Sequence, residues 1–285
     1  MTVKSRSQYS LITTICFTAF LLSCATLEEP SMNLNADVAP ITQGQWSKPA
    51  LQSTWHWQLT GTLNTAYAVD LYDVDLFDTS TAQIQQLQAQ GRWVICYFSA
   101  GSYEQWREDV SALSESTLGE TLDGWADERW WDIRTEAVQA VIESRLQLAL
   151  TKGCDGVEPD NMDAYQNDSG FSLTATDQLA FNRFVANKAH SLGLAVGLKN
   201  DLDQIAELVS YFDFAVNEQC FEYDECDTLT PFIESGKPVL NAEYKSLWVN
   251  DTNARANLCN DANQRQFSTL ILPLNLDDSF RHSCL

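Results

Sequence analysis

Histidine is the first scarcity. The 285 residues include only three, His56, His190 and His282, and none sits beside a polar strand end. A serine or cysteine nucleophile needs a base, usually histidine, so a triad is not expected. No CxxC pair exists to make up a zinc site with so few histidines. Cations are scarce too: 17 Lys and Arg stand against 39 Asp and Glu, a net charge of −22. Nucleic acid needs a basic footprint and is excluded as a partner, whereas a cationic ligand would be attracted. No glycine-rich phosphate turn follows the first predicted strand, which argues against a doubly wound nucleotide-binding sheet. From Leu51 to Leu285 there is no low-complexity break.

Lys4 and Arg6 precede an apolar run from Leu11 to Leu22, of signal-peptide length and short for a bilayer span. It ends in Leu21-Leu-Ser-Cys24, similar to the lipobox of bacterial lipoproteins. Residues 1–24 are therefore expected to be a lipoprotein signal peptide, with Cys24 lipidated and the mature chain exported and held on a membrane by its lipid anchor; the alternative is an ordinary cleaved signal and a secreted chain. Residues 25–50, with Glu28, Glu29, Pro30, Pro40 and Pro49, read as a tether. Residues 51–285 suit one domain, expected as a monomer. Of the eight cysteines, six lie beyond Cys24, and export favours disulfides. Cys220–Cys226 and Cys259–Cys284 are the local pairings, which leaves Cys96–Cys154.

The alternating segment Ala68–Phe77 predicts a strand, followed by a helix from Thr81 to Gln90 closed by Gly91. Trp93–Phe98 is a continuous apolar strand, and Trp131–Ile133 reads as a short one. Ala137–Leu150 carries a helical apolar face and ends at Gly153. A strand then starts at Asp155-Gly-Val157. Thr174 or Thr176 caps a helix through His190, closed by Gly193. Strands at Ala195–Lys199, Phe212–Gln219, Pro238–Tyr244 and Ser268–Leu276 follow, with short helices at Leu202–Val209 and Leu229–Glu234. Eight such strands, most separated by helices, predict an α/β fold: a single (β/α)8 TIM-type barrel.

Polar residues collect where these strands end: Asp75 and Asp78; Tyr97 and Ser99; Glu158, Asp160 and Asn161, with Asp163 just beyond; Lys199 and Asn200; Asn217, Glu218 and Gln219; Glu243 and Tyr244; Asn275 and Asp277. One strand-end Asp is usually a cap or turn former. So many together, on the one barrel face where active sites form, describe an acidic pocket. "EPDNMD" lacks the spacing and central glycine of a calcium loop, so no metal or other cofactor is expected. Paired carboxylates remain, and glycoside hydrolysis uses two, roughly 5–5.5 Å apart for retention or 6.5–9.5 Å for inversion. Nine tryptophans are available for stacking on sugars, although most would serve packing. Period two places Glu158 and Asp160 on one face, so alternation does not choose between them.

The motifs "LYDVDLFDT", "VICYFSAGSYEQWR", "GCDGVEPDNMDAY", "GLKND", "FDFAVNEQCFEYDEC" and "NAEY" resemble, in order, those of glycoside hydrolase family 114, the endo-α-1,4-polygalactosaminidases. The resemblance implies a (β/α)8 barrel without a metal cofactor, cleaving galactosamine or N-acetylgalactosamine polymers of microbial matrices. Such a polymer is cationic when partly deacetylated. The family's acidic pair falls on Asp160, the implied nucleophile of a retaining enzyme, and Glu218, the implied general acid/base. Glu158 would orient its neighbours, and Asp75, Tyr97, Asn161, Asp163, Lys199, Asn200, Asn217, Glu243 and Tyr244 would bind sugar. The competing expectations are a non-catalytic carbohydrate-binding lipoprotein on the same barrel and a metal-dependent hydrolase.

Overall fold

The structure, a computed structural model, describes residues 34–111 and 113–285. The signal segment 1–24, the lipidation site Cys24 and the tether's first part, 25–33, lie outside the described residues. Among the described residues, twelve strands form two sheets. The larger is strongly curled and takes β1 (Trp55–Gln58), β2 (Leu71–Asp75) and β3 (Trp93–Ser99) side by side. A separate antiparallel sheet then interrupts, built from β4 (Ser102–Glu104), β5 (Leu118–Leu122) and β6 (Trp125–Trp131). The large sheet resumes with β7 (Gly156–Asp160), β8 (Ala195–Lys199), β9 (Phe214–Glu218), β10 (Val239–Glu243) and β11 (Ser268–Ile271), all parallel, and ends on antiparallel β12 (His282–Ser283).

Two expectations are corrected here. The segment around Trp131 was expected in the large sheet but ends β6 of the small one, where its indole donates to Ala100 O at 2.6 Å. Its place is taken by Trp55–Gln58, which pairs in parallel with β2 from Trp55↔Leu71 to Gln58↔Val74. Nor does a ladder join β1 to β11 among the described residues. That seam is crossed by single bonds: Trp55 Nε1 to Ser268 O at 2.7 Å, and the Leu59 amide to Leu276 O at 3.1 Å. The fold is thus α/β with a curled, largely parallel nine-stranded sheet.

Side-chain alternation divides the core in two. Trp55, Leu71, Ile95, Ala195, Phe214, Leu240 and Leu270 fill the inside of the curl. Their sequence neighbours Tyr72, Val94, Cys96, Val196 and Val239 face outward to the helices. Those helices begin and end as their sequences dictate. Ser80 and Gln83 make a capping box on α1 (Thr81–Ala89), and Thr174 and Asp177 make one on α3 (Ala175–Ser191). Thr135 caps α2 (Glu136–Lys152), which stops at Gly153 in the left-handed region, φ 86°.

Three disulfides join Cys96 to Cys154, Cys220 to Cys226 and Cys259 to Cys284. The first ties β3 to the residue pair preceding β7. Residues 34–50, the described part of the expected tether, lie against the α3 flank. Asn187 exchanges hydrogen bonds with the Ile41 amide (2.8 Å) and Ala39 O (2.9 Å), and Trp46 stacks on His190 with ring centroids 4.3 Å apart.

Candidate active site

Inside the curl, the residue at the C-terminal end of each central strand is polar. On β7, β8 and β9 it is Asp160, Lys199 and Glu218, and each is followed by a residue of positive φ: Asn161 (59°), Asn200 (47°) and Gln219 (65°). Asn tolerates this conformation better than most side chains. The left-handed step ends each strand abruptly and leaves its last inward side chain at the mouth of the curl. Gly101, in the loop after β3, makes room for this turn, since a Cβ there would stand 1.8 Å from Asn161 O.

Lys199 is the hub. Its Nζ lies 3.1 Å from Asp160 Oδ1, 3.2 Å from Glu218 Oε2 and 3.2 Å from Glu158 Oε1, with the Trp57 ring centroid 4.9 Å away. Burial would lower the ammonium's pKa, but Asp160, Glu218 and Glu158 together hold it well above the ordinary lysine range. Because 3.1 and 3.2 Å separate them from one nitrogen, the facing oxygens of Asp160 and Glu218 are no more than 6.3 Å apart. Each carboxylate also accepts from a tyrosine: Asp160 Oδ2 from Tyr97 OH at 2.8 Å, and Glu218 Oε1 from Tyr244 OH. Burial, then the adjoining carboxylate, pushes both phenols well above their usual range, so they remain donors.

The two carboxylates keep access to solvent, Asp160 with 18 % and Glu218 with 26 % of the side chain exposed, whereas Glu158 beneath them has none. Asp160, Glu218 and Lys199 floor a cavity of about 880 Å³. Eleven carboxylates and two cations, Lys199 and Arg107, line it, so its field favours a cationic occupant. Arg107 is already engaged by Asp75 (2.5 Å) and Glu104 (3.2 Å). Asp163, raised to about 6 by burial and Asp160, and Asp201, raised to about 8 by burial and Asp163, form one wall. Trp106, Trp125 and Tyr223 are exposed aromatics on its rim.

The sequence-derived site residues fall into two groups. Asp75, Tyr97, Asp160, Asn161, Asp163, Lys199, Asn200, Asn217 and Glu218 line the cavity. Asn200 Oδ1 accepts from the Glu218 amide at 2.9 Å, and Asn161 Nδ2 donates to Ser99 Oγ at 2.9 Å. Tyr244 reaches the cavity floor through its bond to Glu218. Glu243 does not line the cavity. It faces the helix layer, fully buried, where Oε1 accepts from the Phe221 amide (2.9 Å) and Asn241 Nδ2 (3.3 Å), and burial raises it to about 7. Sequence reasoning missed Asp73, Asp201 and Glu128. Asp73 was signalled by its two-residue spacing from Asp75; Asp201 and Glu128 lie on irregular or inserted segments without a comparable period.

The family model of glycoside-hydrolase family GH114 matches residues 35–285. The crystal structure of Aspergillus fumigatus Ega3 in complex with galactosamine is similar, with a TM-score of 0.80 and 40 % identity over 85 % of this chain and 99 % of that one. The glycoside hydrolase domain of PelA from Pseudomonas aeruginosa shares the fold, with a TM-score of 0.63 and 14 % identity over 79 % of this chain and 96 % of that one. An uncharacterised protein of Deinococcus radiodurans is 30 % identical over 179 residues, 53 % of this chain and 56 % of its own length. The match thus spans little more than half of that relative.

Proposed function

Because the chain belongs to glycoside-hydrolase family GH114, we propose that it cleaves α-1,4-linked galactosamine and N-acetylgalactosamine polymers internally, with retention, using Asp160 as nucleophile and Glu218 as general acid/base. The observation that carries this reading is the shared Lys199, which brings both carboxylates to one point of the cavity floor. Their facing oxygens, within 6.3 Å, suit the close pair of a retaining enzyme better than the roughly 6.5–9.5 Å that an inverting enzyme leaves for water.

The chemistry follows from the contacts. Asp160, held by Tyr97 and Lys199, attacks the anomeric carbon while Glu218 gives its proton to the departing glycosidic oxygen. A glycosyl ester on Asp160 results. Glu218, now a carboxylate stabilised by Lys199 and Tyr244, takes a proton from water, whose oxygen displaces Asp160 and regenerates both groups. The eleven lining carboxylates favour an amino sugar in its ammonium form, and the Ega3 complex with galactosamine supports the same sugar here. Trp106, Trp125 and Tyr223 offer faces for neighbouring residues of the polymer.

The curl is read as a (β/α)8 barrel whose β1–β11 seam is held by isolated bonds. Three disulfides support export, and a lipidated Cys24 would hold the enzyme, as a monomer, on a cell envelope next to its matrix substrate. The test is product analysis after incubation with acetylated and deacetylated galactosamine polymers and a glucosamine polymer. Shorter oligomers from a galactosamine polymer alone are expected. Cleavage of the glucosamine polymer instead, or of none, would overturn the reading.

A further inference from the structure

One layer below the catalytic pair, the same inward rows of β2 and β7 bring two more acids together. Asp73 precedes Asp75 by two residues and Glu158 precedes Asp160 by two, so all four point into the curl. Asp73 and Glu158 have no accessible surface, and the Glu158 carboxyl is the neighbouring group that acts most strongly on Asp73. No N–H or O–H donor among the described residues reaches either oxygen of Asp73. Glu158 has a cation 3.2 Å away, the Lys199 ammonium, but that ammonium also serves Asp160 and Glu218.

Two adjoining dehydrated carboxylates with a third of a cation between them would be strongly unstable. A proton shared between them converts the repulsion into a hydrogen bond. Which group carries it follows from the surroundings: Glu158 lies 3.2 Å from the Lys199 ammonium and favours charge, whereas neither oxygen of Asp73 has a hydrogen-bond donor, and Lys199 acts on it less strongly than Glu158 does.

We propose that Asp73 is a positioning residue, a protonated acid whose O–H donates to Glu158 and thereby keeps Glu158 available as the anion that seats Lys199 between Asp160 and Glu218. Burial, then Glu158, raises the Asp73 carboxyl well above the usual range. Burial raises Glu158 to about 7 even though Lys199 and Asp73 act to lower it. The other charged or titratable groups around the pair are Asp160 on β7, Tyr97 opposite Glu158 on β3, Glu218 on β9 and Tyr244 after β10. None of the four is a cation, so Lys199, whose ammonium is shared by three other carboxylates, is the one relieving charge among the groups that act on Asp73. The consequence for catalysis rests on the function proposed above; the proton on Asp73 does not.

Two variants and two readouts test this. Asp73→Leu removes the donor at similar volume. Its kcat on the galactosamine polymer is expected to fall roughly 30-fold, as a misplaced catalytic group costs up to about 100-fold. KM should change little, and the acid limb of the pH profile should move to higher pH because Glu158 then protonates more readily. Asp73→Asn, a neutral N–H donor, should recover most of the kcat and the original acid limb. A merely structural Asp73 would alter the melting temperature in both variants and leave the profile in place, and that result would overturn the proposal. The second readout needs no substrate. The infrared carbonyl band of protonated carboxyl groups at neutral pH should lose one group's intensity in Asp73→Asn relative to the wild type. An unchanged band overturns the proposal even if Asp73→Leu does not fold. A wild type that shows the Asp73 band yet cleaves no polymer would instead sink the proposed function and leave the proton assignment standing.

Discussion

Glu218 and Glu243 end neighbouring parallel strands, with Glu218 paired to Ala242 in the ladder, yet they occupy opposite faces of the sheet. Glu218 points into the cavity, keeps about a quarter of its side chain exposed and meets Lys199 and Tyr244. Glu243 points into the helix layer, is sealed from solvent, and accepts through Oε1 from the Phe221 amide and Asn241. A carboxylate that faces a shared ammonium and solvent can exchange protons with a substrate. One that faces a backbone amide behind the sheet can only hold a loop in place.

Substitution should separate the two faces. The largest effect is expected on the cavity side: Asp160→Asn and Glu218→Gln should each lower kcat by about 1,000-fold or more, in the range of losing a nucleophile or general acid, with the circular dichroism of the wild type. Lys199→Met comes next. It leaves Asp160, Glu218 and Glu158 without their common cation, so a kcat loss of about 100-fold should accompany a lower melting temperature, an effect of removing one partner from a buried ionic cluster. On the sealed side, Glu243→Gln keeps an acceptor for the Phe221 amide; kcat should stay within about threefold of the wild type. Turnover losses of similar size for Glu218→Gln and Glu243→Gln would abolish the distinction.

A smaller effect belongs to both faces. Glu128 and Glu243 at about 7 and Asp201 at about 8 lie above their ordinary values of 4.5, 4.5 and 3.8 because burial disfavours their charge. Between those limits the folded state binds more protons than the unfolded chain, so stability must fall as pH rises. It is greatest on the acidic side of that window and lost as pH passes through 7 and 8. Melting temperatures measured from pH 5 to pH 9 should decline by several degrees, and a rise over that interval would contradict the buried assignments.

Much of this architecture is legible in the chain because buried parallel strands write themselves as short apolar runs closed by polar ends. Trp93–Ser99, Ala195–Lys199 and Phe214–Glu218 are of this kind. The four residues of Trp55–Gln58 were missed: the strand is short and no helix separates it from β2. Trp131 misled because burial alone does not say which sheet a strand joins. Glu243 shows a deeper limit. Along Val239-Leu-Asn-Ala-Glu243 both alternating faces start apolar, so period two groups Asn241 with Glu243 without telling which row looks inward. That is settled by the curl of the whole sheet, through contacts distant in sequence. The Asp160–Lys199–Glu218 cluster is legible as three strand ends, but their convergence on one nitrogen is a property of the fold.

The central claim is that Asp160 forms and breaks a bond with sugar while Glu218 moves the proton. It is tested most directly by mass spectrometry of Glu218→Gln incubated with an α-galactosaminyl fluoride, whose leaving group needs no acid. The account predicts a glycosyl adduct on the peptide containing Asp160. Turnover of the fluoride with inversion at the anomeric carbon and no adduct on that peptide would contradict it.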